Sequence, residues 1–402
     1  MINKTNLLSF IKQILIYIAT GMVCGVVGTL FSKGVTLVST LRSNNPWLLY
    51  LLPLAGILSV ALYQSLKVSG VGTNQVIASA QNKNLLSPKL APAIFGASLL
   101  SHLCGASVGR EGAALQLGGS SASFLSKRFH LNAQEEKILL YCGMAGVFSS
   151  VFGTPLAAAV FALEVVFVGK LFYKAIAPVF LTAWVSYFTA TALGAHAEQF
   201  ALTTTPQWSF TVVWKVLVLG LLTVAVSFLF CFSLKYTEKW VKALFKNPFV
   251  RAAVGGIVII ALTLAVGTRD YNGAGVGVIE AIFSHNQFEP FAFALKLLFT
   301  CLCVAAGFKG GEIVPTLFIG ATFGALAGSL LGLPVAFAAA VCMISLFCGV
   351  TNCPLASILL AAELFSGKAL GFIAIATLLC FCLSGKISLY TTQKARGFKN
   401  WF

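Results

Sequence analysis

Long apolar runs separated by short polar segments dominate this sequence. Four of the runs are Ile14–Phe31, Trp47–Leu66, Phe210–Leu234 and Phe291–Ala306, the last interrupted only by Lys296. About 20 consecutive apolar residues are enough for a helix to cross the hydrocarbon core of a bilayer, and these runs reach or approach that length. The pattern predicts an all-α protein that crosses a membrane several times.

Composition agrees with a membrane protein. Of the 402 residues, 58% are hydrophobic and only 9% are charged, whereas a soluble domain carries roughly 25% charged residues. These values exclude a soluble globular enzyme. The chain has 27 Lys and Arg against 11 Asp and Glu, a formal net charge of +16. Because the basic residues lie mainly at the ends of apolar runs, they indicate membrane orientation and not nucleic-acid binding.

The basic residues also predict an orientation. They cluster in segments 4–12, 127–137, 235–251 and 386–399, and cytoplasmic loops carry the excess of Lys and Arg in membrane proteins. The segment Gly194–Pro206 has no Lys or Arg and contains Glu198, which is typical of an outer loop. We therefore expect a multi-pass protein of the plasma (inner) membrane with both termini in the cytoplasm.

Cysteine and histidine patterns do not indicate a metal site. The 11 cysteines lie within apolar runs without CxxC spacing, and the four histidines are scattered, so we expect no metal and no cofactor. The N-terminus has no cleavable-signal pattern, and no separate soluble domain is expected. No apolar run contains a Ser–His or HExxH arrangement, which disfavours an intramembrane enzyme. The dispersed acids disfavour a metal-ion transporter.

Three short signatures occur in the same order in each half of the chain. The matched pairs are Gly70-Val71-Gly72 with Gly275-Val276-Gly277, Gly109 and Gly118 with Gly311 and Gly320, and Pro155-Leu156-Ala157 plus Glu164 with Pro354-Leu355-Ala356 plus Glu363. Three ordered matches predict an internal duplication into residues 1–205 and 206–402. The first half would begin inside and end outside, and the second the reverse, so the repeats would be inverted, as in many transporters and channels.

Several apolar segments are too short or too rich in glycine to span a bilayer, namely Ala113–Phe124, Pro155–Val168 and Pro354–Phe365. In an inverted repeat such half-helices meet at the midplane, where their N-termini offer free backbone N–H groups and the positive end of the helix dipole. Each signature places Gly or Pro where such a helix would start. Converging N-termini would select an anion. Tight helix packing by small residues is the alternative, but it explains the glycines alone.

These motifs resemble those of the CLC family of chloride channels and anion/proton antiporters. Gly109-Arg110-Glu111-Gly112 is similar to the family's GREGP or GKEGP, with Ala113 in place of Pro. Gly311–Pro315 stands where the family has GxFxP, and Gly70–Asn74 where it has GSGIP. Leu389-Tyr390 resembles the segment that supplies the family's anion-coordinating tyrosine.

The resemblance implies a homodimer of tilted, partly broken helices with one pore per subunit, and it implies that Glu111 is the gate. The carboxylate of Glu111 would occupy an anion site when ionised and leave it when protonated; a carboxylate at a helix N-terminus mimics an anion. An ion pair with Arg110 is the alternative role for Glu111. The resemblance also assigns the anion-binding residues, which are Val71, Gly72, Asn74, Gly109, Arg110, Gly112, Gly311, Ile313, Val314, Thr316 and Tyr390.

Departures from the family motifs resemble its fluoride-exporting branch. Chloride members have a serine where this chain has Val71, and a proline where it has Asn74. Fluoride is small and strongly hydrated, so its selection must rest on a tight ring of N–H, polarised C–H or hydroxyl groups, for which Thr316 and Tyr390 are candidates. We expect export of fluoride in exchange for protons. The alternative is a chloride/proton antiporter or a passive chloride channel of the same fold.

Three further positions bear on proton coupling. Chloride antiporters carry an internal proton-transfer glutamate where this chain has Val165. Glu164 lies next to that position. However, Glu363, the matching residue of the second half, stands at the same distance from its Pro-Leu-Ala signature, which favours a role in binding backbone groups for both glutamates. Glu312 stands opposite Arg110 in the repeat. It either stabilises a helix N-terminus, pairs with Arg110 or Lys309, or repels and gates anions.

Overall fold

A computed structural model of the chain describes residues 4–68, 72–82 and 86–395. Sixteen α-helices account for most of these residues, and two residues after α7 pair in parallel with two near the C-terminus. The helices are α1 Lys4–Asn44, α2 Leu52–Ser65, α3 Thr73–Asn82, α4 Leu90–Cys104, α5 Glu111–Arg128, α6 Ala133–Phe152, α7 Pro155–Glu164, α8 Ile176–Ala192, α9 Phe210–Leu244, α10 Pro248–Val266, α11 Val276–His285, α12 Ala292–Ala306, α13 Ile313–Leu330, α14 Val335–Thr351, α15 Pro354–Leu364 and α16 Leu370–Leu383; the strands are β1 Phe167–Val168 and β2 Lys394–Ala395.

The helices form two series of eight whose lengths run in parallel. Helices α1 and α9 have 41 and 35 residues, α3 and α11 have 10 each, α4 and α12 have 15 each, and α5 and α13 have 18 each. Short helices α7 and α15 follow with 10 and 11 residues. The linker between the two series, residues 193–209, contains the boundary expected between the two repeats.

Six helical segments among the described residues are long and apolar enough to cross a membrane. They are Phe10–Asn44, Pro46–Ser65, Tyr173–Ala192, Phe210–Leu244, Pro248–Val266 and Ile313–Leu330. Within the expected span Phe291–Ala306, helix α12 is shorter than these six segments, because Phe291 is its N-cap and Gly307, with φ +100°, ends it. At 1.5 Å per residue, α12 is about 22 Å long, less than the roughly 30 Å of a hydrocarbon core.

The expected half-helix Ala113–Phe124 is wrong in length. Helix α5 begins earlier, at Glu111, and continues to Arg128 through the glycines that were expected to break it. Those glycines are used in packing: the α-carbon of Gly118 lies against the backbone of Gly143 in α6. Small residues allow helix backbones to approach this closely. Of the two Pro-initiated half-helices, α15 ends at Leu364, one residue before the expected Phe365, whereas α7 ends at Glu164, four residues before the expected Val168, because Phe167–Val168 form β1.

The centre of the molecule is formed by α5 and α6 together with their counterparts α13 and α14. Every residue of α6 from Ile138 to Phe152 and every residue of α14 from Ala336 to Thr351 is buried. A helix that is apolar on all sides lies in the interior of a protein. Around this centre, α1 and α9 expose many large apolar side chains, as helices that face lipid do. The starts of α5 and α13 therefore lie deep inside the protein.

Candidate functional site

The starts of α5 and α13 meet through the glycines that precede them. The N–H of Gly109 donates to the carbonyl of Gly311 (N···O 2.6 Å), and the N–H of Gly311 donates to the carbonyl of Gly109 (2.7 Å). This reciprocal pair is an isolated antiparallel bridge between the two helix series. Since both N–H groups are used in it, they are not available to an anion. Gly109 and Gly311, expected among the anion-binding residues, instead fix the distance between the two helix starts.

Glu111, the first residue of α5, extends its side chain to the start of α13. Its Oε2 accepts a hydrogen bond from the N–H of Val314 (3.1 Å), and the residue is fully buried. Its Oε1 is buried with no hydrogen-bond partner among the described residues. A carboxylate at a helix N-terminus is favoured by the helix dipole and by the free N–H groups there. The Glu111 carboxylate thus occupies a position that suits a bound anion.

Only glycine fits at position 112. A β-carbon on Gly112 would lie 2.9 Å from the α-carbon of Gly311 and 3.0 Å from Oγ1 of Thr73. Three segments therefore meet here: the starts of α3, α5 and α13. Thr73 was not identified from the sequence, and its hydroxyl lies 3.5 Å from the carbonyl oxygen of Gly112.

Helix α13 offers two N–H groups to this junction. Neither α5 nor α13 has a side-chain cap at its N-terminus, so the N–H groups of the first turn are not satisfied by a capping side chain. Those of α13 belong to Ile313 and Val314, because Pro315 has no N–H. Both residues are buried, and the Val314 N–H already binds the Glu111 carboxylate.

Two hydroxyl groups were expected to bind an anion, and they differ in availability. The hydroxyl of Thr316 donates to the carbonyl of Glu312 within α13 (2.7 Å), so its proton is committed. The hydroxyl of Tyr390 is buried and has no hydrogen-bond partner among the described residues. Tyr390 interacts electrostatically with both Glu111 and Glu312, which indicates that it lies near this junction. Tyr390 is therefore the better candidate donor.

The first motif is described only in part. Val71 lies outside the described residues, whereas Gly72 and Asn74 lie within them. A β-carbon on Gly72 would have no heavy atom within 4 Å, so space is open there. The amide oxygen of Asn74 accepts from the N–H of Thr392 (3.2 Å), and the Thr392 hydroxyl donates to the Asn74 carbonyl (2.9 Å). Asn74 thus ties α3 to the segment that carries Tyr390.

Arg110 turns away from the carboxylate of its neighbour. Its guanidinium forms an ion pair with Glu198 in the linker between α8 and α9, and donates to the hydroxyl of Ser32 in α1 (3.1 Å). Within the described part of the chain, no ion pair joins Arg110 to Glu111 or Glu312. The alternative role for Glu111, an ion pair with Arg110, is therefore not formed. Arg110 and Glu198 both line a cavity of about 1230 Å³.

Glu164 and Glu363 bind backbone groups of the opposite series. Glu363 accepts from the N–H groups of Leu156 (2.9 Å) and Ala157 (2.8 Å) at the start of α7. Glu164 accepts from Leu355 (3.3 Å) and Ala356 (2.9 Å) at the start of α15. Each carboxylate thus caps the other series' helix. The N-termini of α7 and α15 are occupied and do not form part of an anion site.

Glu312 is the N-cap residue of α13, and its Oε2 is buried without a partner among the described residues. Lys309, three residues earlier, lies over the ring of Tyr63 (Nζ to ring centroid 4.5 Å). Lys309 and Glu312 interact electrostatically, but the described residues include no ion pair between them. Glu312 therefore keeps an open oxygen close to the Glu111 junction.

Known proteins match this chain in sequence over most of its length. A model of the voltage gated chloride channel family matches residues 55–385. A chloride/fluoride channel protein of Pseudomonas syringae pv. tomato is 31% identical over 93% of this chain and 84% of its own length. A ClcB-like chloride channel protein of Ralstonia nicotianae is 28% identical over 89% of this chain and 86% of its own length.

The chain belongs to the voltage-gated chloride channel (CLC) family.

Solved structures of this family superpose on the protein. A CLC-type fluoride/proton antiporter is 31% identical to this chain, with a TM-score of 0.93. The match covers 98% of this chain and 100% of the antiporter's chain. A slow cyanobacterial Cl⁻/H⁺ antiporter shares the fold, with a TM-score of 0.80 at 20% identity over 94% of this chain and 96% of its own. Members of the CLC family are transporters or channels and not enzymes, so this chain is a multi-pass membrane protein of ion transport.

One buried cation in this CLC protein was not recognised as functional from its sequence. Lys296 is fully buried in α12, and its ammonium donates to the carbonyls of Tyr271 (3.2 Å) and Gly273 (2.7 Å). It also lies over the ring of Phe318 in α13 (5.1 Å to the centroid). The available signal was its position as the single charge within an apolar run, since such charges are costly in a membrane and usually have a role. Here Lys296 holds the loop before α11 against α13.

Among residues 4–68, 72–82 and 86–395, no three His, Cys, Asp or Glu side chains lie close enough together to hold a metal ion. The candidate site of this CLC protein is thus built from backbone N–H groups, one phenol and carboxylates.

Proposed function

We propose that this protein exports fluoride from the cell in exchange for protons, with Glu111 as the gate. The observation that carries the proposal is the buried Glu111 carboxylate, which accepts the N–H of Val314 at the start of α13 and keeps its second oxygen unpaired. This group is a built-in anion at a helix N-terminus. It can be displaced by an anion, and it can accept a proton.

The exchange follows from this geometry. When Glu111 is ionised, it occupies the N–H groups at the α13 start and excludes an anion. When it is protonated, it loses the charge that the helix dipole and the N–H donors favour, and an anion binds there better than the neutral acid. The anion then occupies the donors that Glu111 has released. One side chain thereby links the arrival of a proton to the binding of an anion.

Three donors are available to the incoming anion once Glu111 leaves. They are the N–H groups of Ile313 and Val314 and the hydroxyl of Tyr390, all on buried residues. A site with few donors suits a small anion that binds each hydrogen-bond donor strongly. The names of two similar proteins, a chloride/fluoride channel protein and a fluoride/proton antiporter, also support fluoride as the anion.

A chloride/proton antiporter or a passive chloride channel is the second candidate. Val165, fully buried and apolar where chloride antiporters would carry their proton-transfer glutamate, favours the passive channel over the chloride/proton antiporter, and it also suits the fluoride proposal. We propose that protons reach Glu111 without that position. The competing functions differ in what each transports and in whether proton and anion fluxes are linked.

Flux from liposomes distinguishes these candidates. Purified protein is reconstituted into vesicles loaded with fluoride or chloride, and an ion-selective electrode measures efflux. Fluoride should leave faster; chloride efflux as fast as fluoride efflux would refute the fluoride proposal. With a pH gradient imposed, the wild-type protein should drive one ion uphill. Glu111→Gln should abolish this coupling, and Glu280→Gln, an exposed carboxylate of α11, is the matched control that should keep it.

The same proposal includes the assembly and the topology. We propose two inverted repeats, residues 1–205 and 206–402, with both termini in the cytoplasm, and a homodimer with one pathway per subunit. An apolar groove of about 270 Å³ between α7, α8 and α15 supports a subunit interface at this face. Its lining is entirely apolar and includes Phe180, Ile358 and the half-exposed Leu355.

A further inference from the structure

The side chains of Arg110 and Glu111 are adjacent in sequence but bind different parts of the molecule. Arg110 reaches Glu198 and Ser32, and Glu111 reaches the N–H of Val314. The side chains of Arg110 and Glu198 are only 11% and 21% exposed. A guanidinium that is largely removed from water requires a negative partner nearby. Glu198 supplies that charge from a linker 88 residues away in sequence.

The linker holds Glu198 firmly in this position. The N–H of Glu198 donates to the carbonyl of Phe152 at the end of α6 (3.1 Å), and the N–H of Phe200 donates to that of Leu364 at the end of α15 (3.0 Å). At the end of α6, Gly153 has φ +73°, and a β-carbon there would collide with Ala197. Backbone contacts on both sides of Glu198 therefore set its distance from Arg110.

Both members of the adjacent pair have unused bonding capacity. The Nε of Arg110 and the Oε1 of Glu111 are buried without hydrogen-bond partners among the described residues. Arg110 and Glu111 already interact electrostatically. If Glu198 lost its charge, Arg110 could pair with the Glu111 carboxylate, whose Oε1 has no partner among the described residues. Such a pair would favour the ionised gate and oppose its protonation.

We propose that Glu198 is a positioning residue for the gate: by binding Arg110, it keeps this guanidinium from pairing with Glu111. The inference rests on the proposed role of Glu111. It assigns a function to the linker between the two helix series: the linker supplies the negative charge that neutralises Arg110 where Arg110 faces the cavity. The cavity itself carries charges of both signs, from Arg42, Arg110 and Arg269 and from Glu198, Asp270, Glu280 and Glu289.

Several other ionisable groups surround this pair. Glu312 at the start of α13 and Tyr390 in the C-terminal segment interact electrostatically with Glu111. His102 of α4 interacts with Arg110, and it also interacts with Arg42 of α1 and Lys296 of α12. All of them remain in a variant that changes Glu198 alone. A difference between wild type and that variant therefore reports on the charge of Glu198.

Glu198→Gln tests the proposal in liposomes. Proton-coupled anion efflux is measured as a function of pH, with the same pH on both sides of the membrane. Loss of the Glu198 charge leaves Arg110 free to stabilise ionised Glu111, so protonation of the gate should require a more acid solution. We expect the midpoint of the pH profile to move down by about one unit, a tenfold change in proton concentration.

Three further variants make the result specific. Glu198→Asp keeps the negative charge and should show the wild-type midpoint. Glu280→Gln removes a charge from the same cavity and should leave the midpoint unchanged. Arg110→Gln in the Glu198→Gln background should abolish the shift, because the effect acts through Arg110. If Glu198→Gln does not fold, Ser32→Ala loosens Arg110 from the other side and should give a smaller shift in the same direction.

Failure of this inference is distinguishable from failure of the proposed function. An unchanged midpoint in Glu198→Gln, with coupling abolished in Glu111→Gln, would overturn the role of Glu198 and leave the gate intact. Coupling that survives in Glu111→Gln would overturn the gate assignment first, and with it this inference. A shift that persists without Arg110 would also overturn it.

Discussion

The reciprocal caps of α7 and α15 allow a sharp test of which glutamates are structural. Glu363 binds two N–H groups with its two oxygens, and Glu164 does the same at the other end of the helix pair. Glutamine has the same shape but only one oxygen. In Glu363→Gln, one N–H would retain an acceptor, and the other would face an NH₂ group that cannot accept from it.

The size of the effect follows from these contacts. A hydrogen bond to a charged group contributes about 1.5–3 kcal/mol, and an unsatisfied buried donor costs a similar amount. Losing one such bond and the charge on the other gives an expected loss of about 3 kcal/mol in the free energy of unfolding for each single variant. The two caps lie at opposite ends of helices that are about 15–17 Å long, so the losses in the double variant should add.

Denaturant titration of the purified protein in detergent measures the stability, and the liposome assay measures coupling. We expect Glu164→Gln and Glu363→Gln to lose stability to a similar degree and to keep the proton-to-anion ratio of the wild type. A loss below about 0.5 kcal/mol would refute the capping argument. If Glu164→Gln alone lost coupling, Glu164 would be a proton-transfer group even though it also caps α15.

Two further predictions concern the anion and the assembly. Tyr390→Phe removes the unpartnered buried hydroxyl and should weaken fluoride binding about tenfold, or ~1.4 kcal/mol, as an increase in the half-saturating concentration for efflux; an unchanged value would remove Tyr390 from the anion site. Ile358→Trp should block the apolar groove between α7, α8 and α15 and yield a monomer by size-exclusion chromatography with light scattering, while transport per subunit remains; an intact dimer would place the interface elsewhere.

Local sequence signals predicted the starts of the functional helices well. Helix α5 begins at Glu111, inside the GREG motif and two residues before the expected Ala113, and α7 and α15 begin at the prolines that predicted them. These signals work because a helix start depends on a few neighbouring residues, such as Pro in the first turn. The end of a helix among tightly packed neighbours depends on distant residues. Gly118 did not break α5, because it packs against Gly143 in α6.

Partners far apart in the sequence could not be predicted in the same way. The matched spacing of Glu164 and Glu363 indicated a shared structural role, but not that each would cap the other's half of the chain. Likewise, the sequence suggests Glu111 or Glu312 as the partner of Arg110, because they are close to it in sequence or in the repeat. Its actual partner is Glu198, which was recognised only as a sign of an outer loop. Pairing of this kind is a property of the tertiary fold, and a single sequence carries no record of it.

Four glutamates lie at helix boundaries inside this membrane protein, and their oxygens separate them into two kinds. In Glu164 and Glu363 both oxygens accept backbone N–H groups. In Glu111 and Glu312 one oxygen is buried without a partner among the described residues. A carboxylate whose oxygens are all bound by fixed donors is held in one position, since movement would leave those N–H groups unsatisfied. A carboxylate with an open oxygen pays less to accept a proton there. We therefore propose that proton exchange takes place at the starts of α5 and α13, with Glu111 as the moving carboxylate and Glu312 as its neighbour, while α7 and α15 serve as the fixed frame.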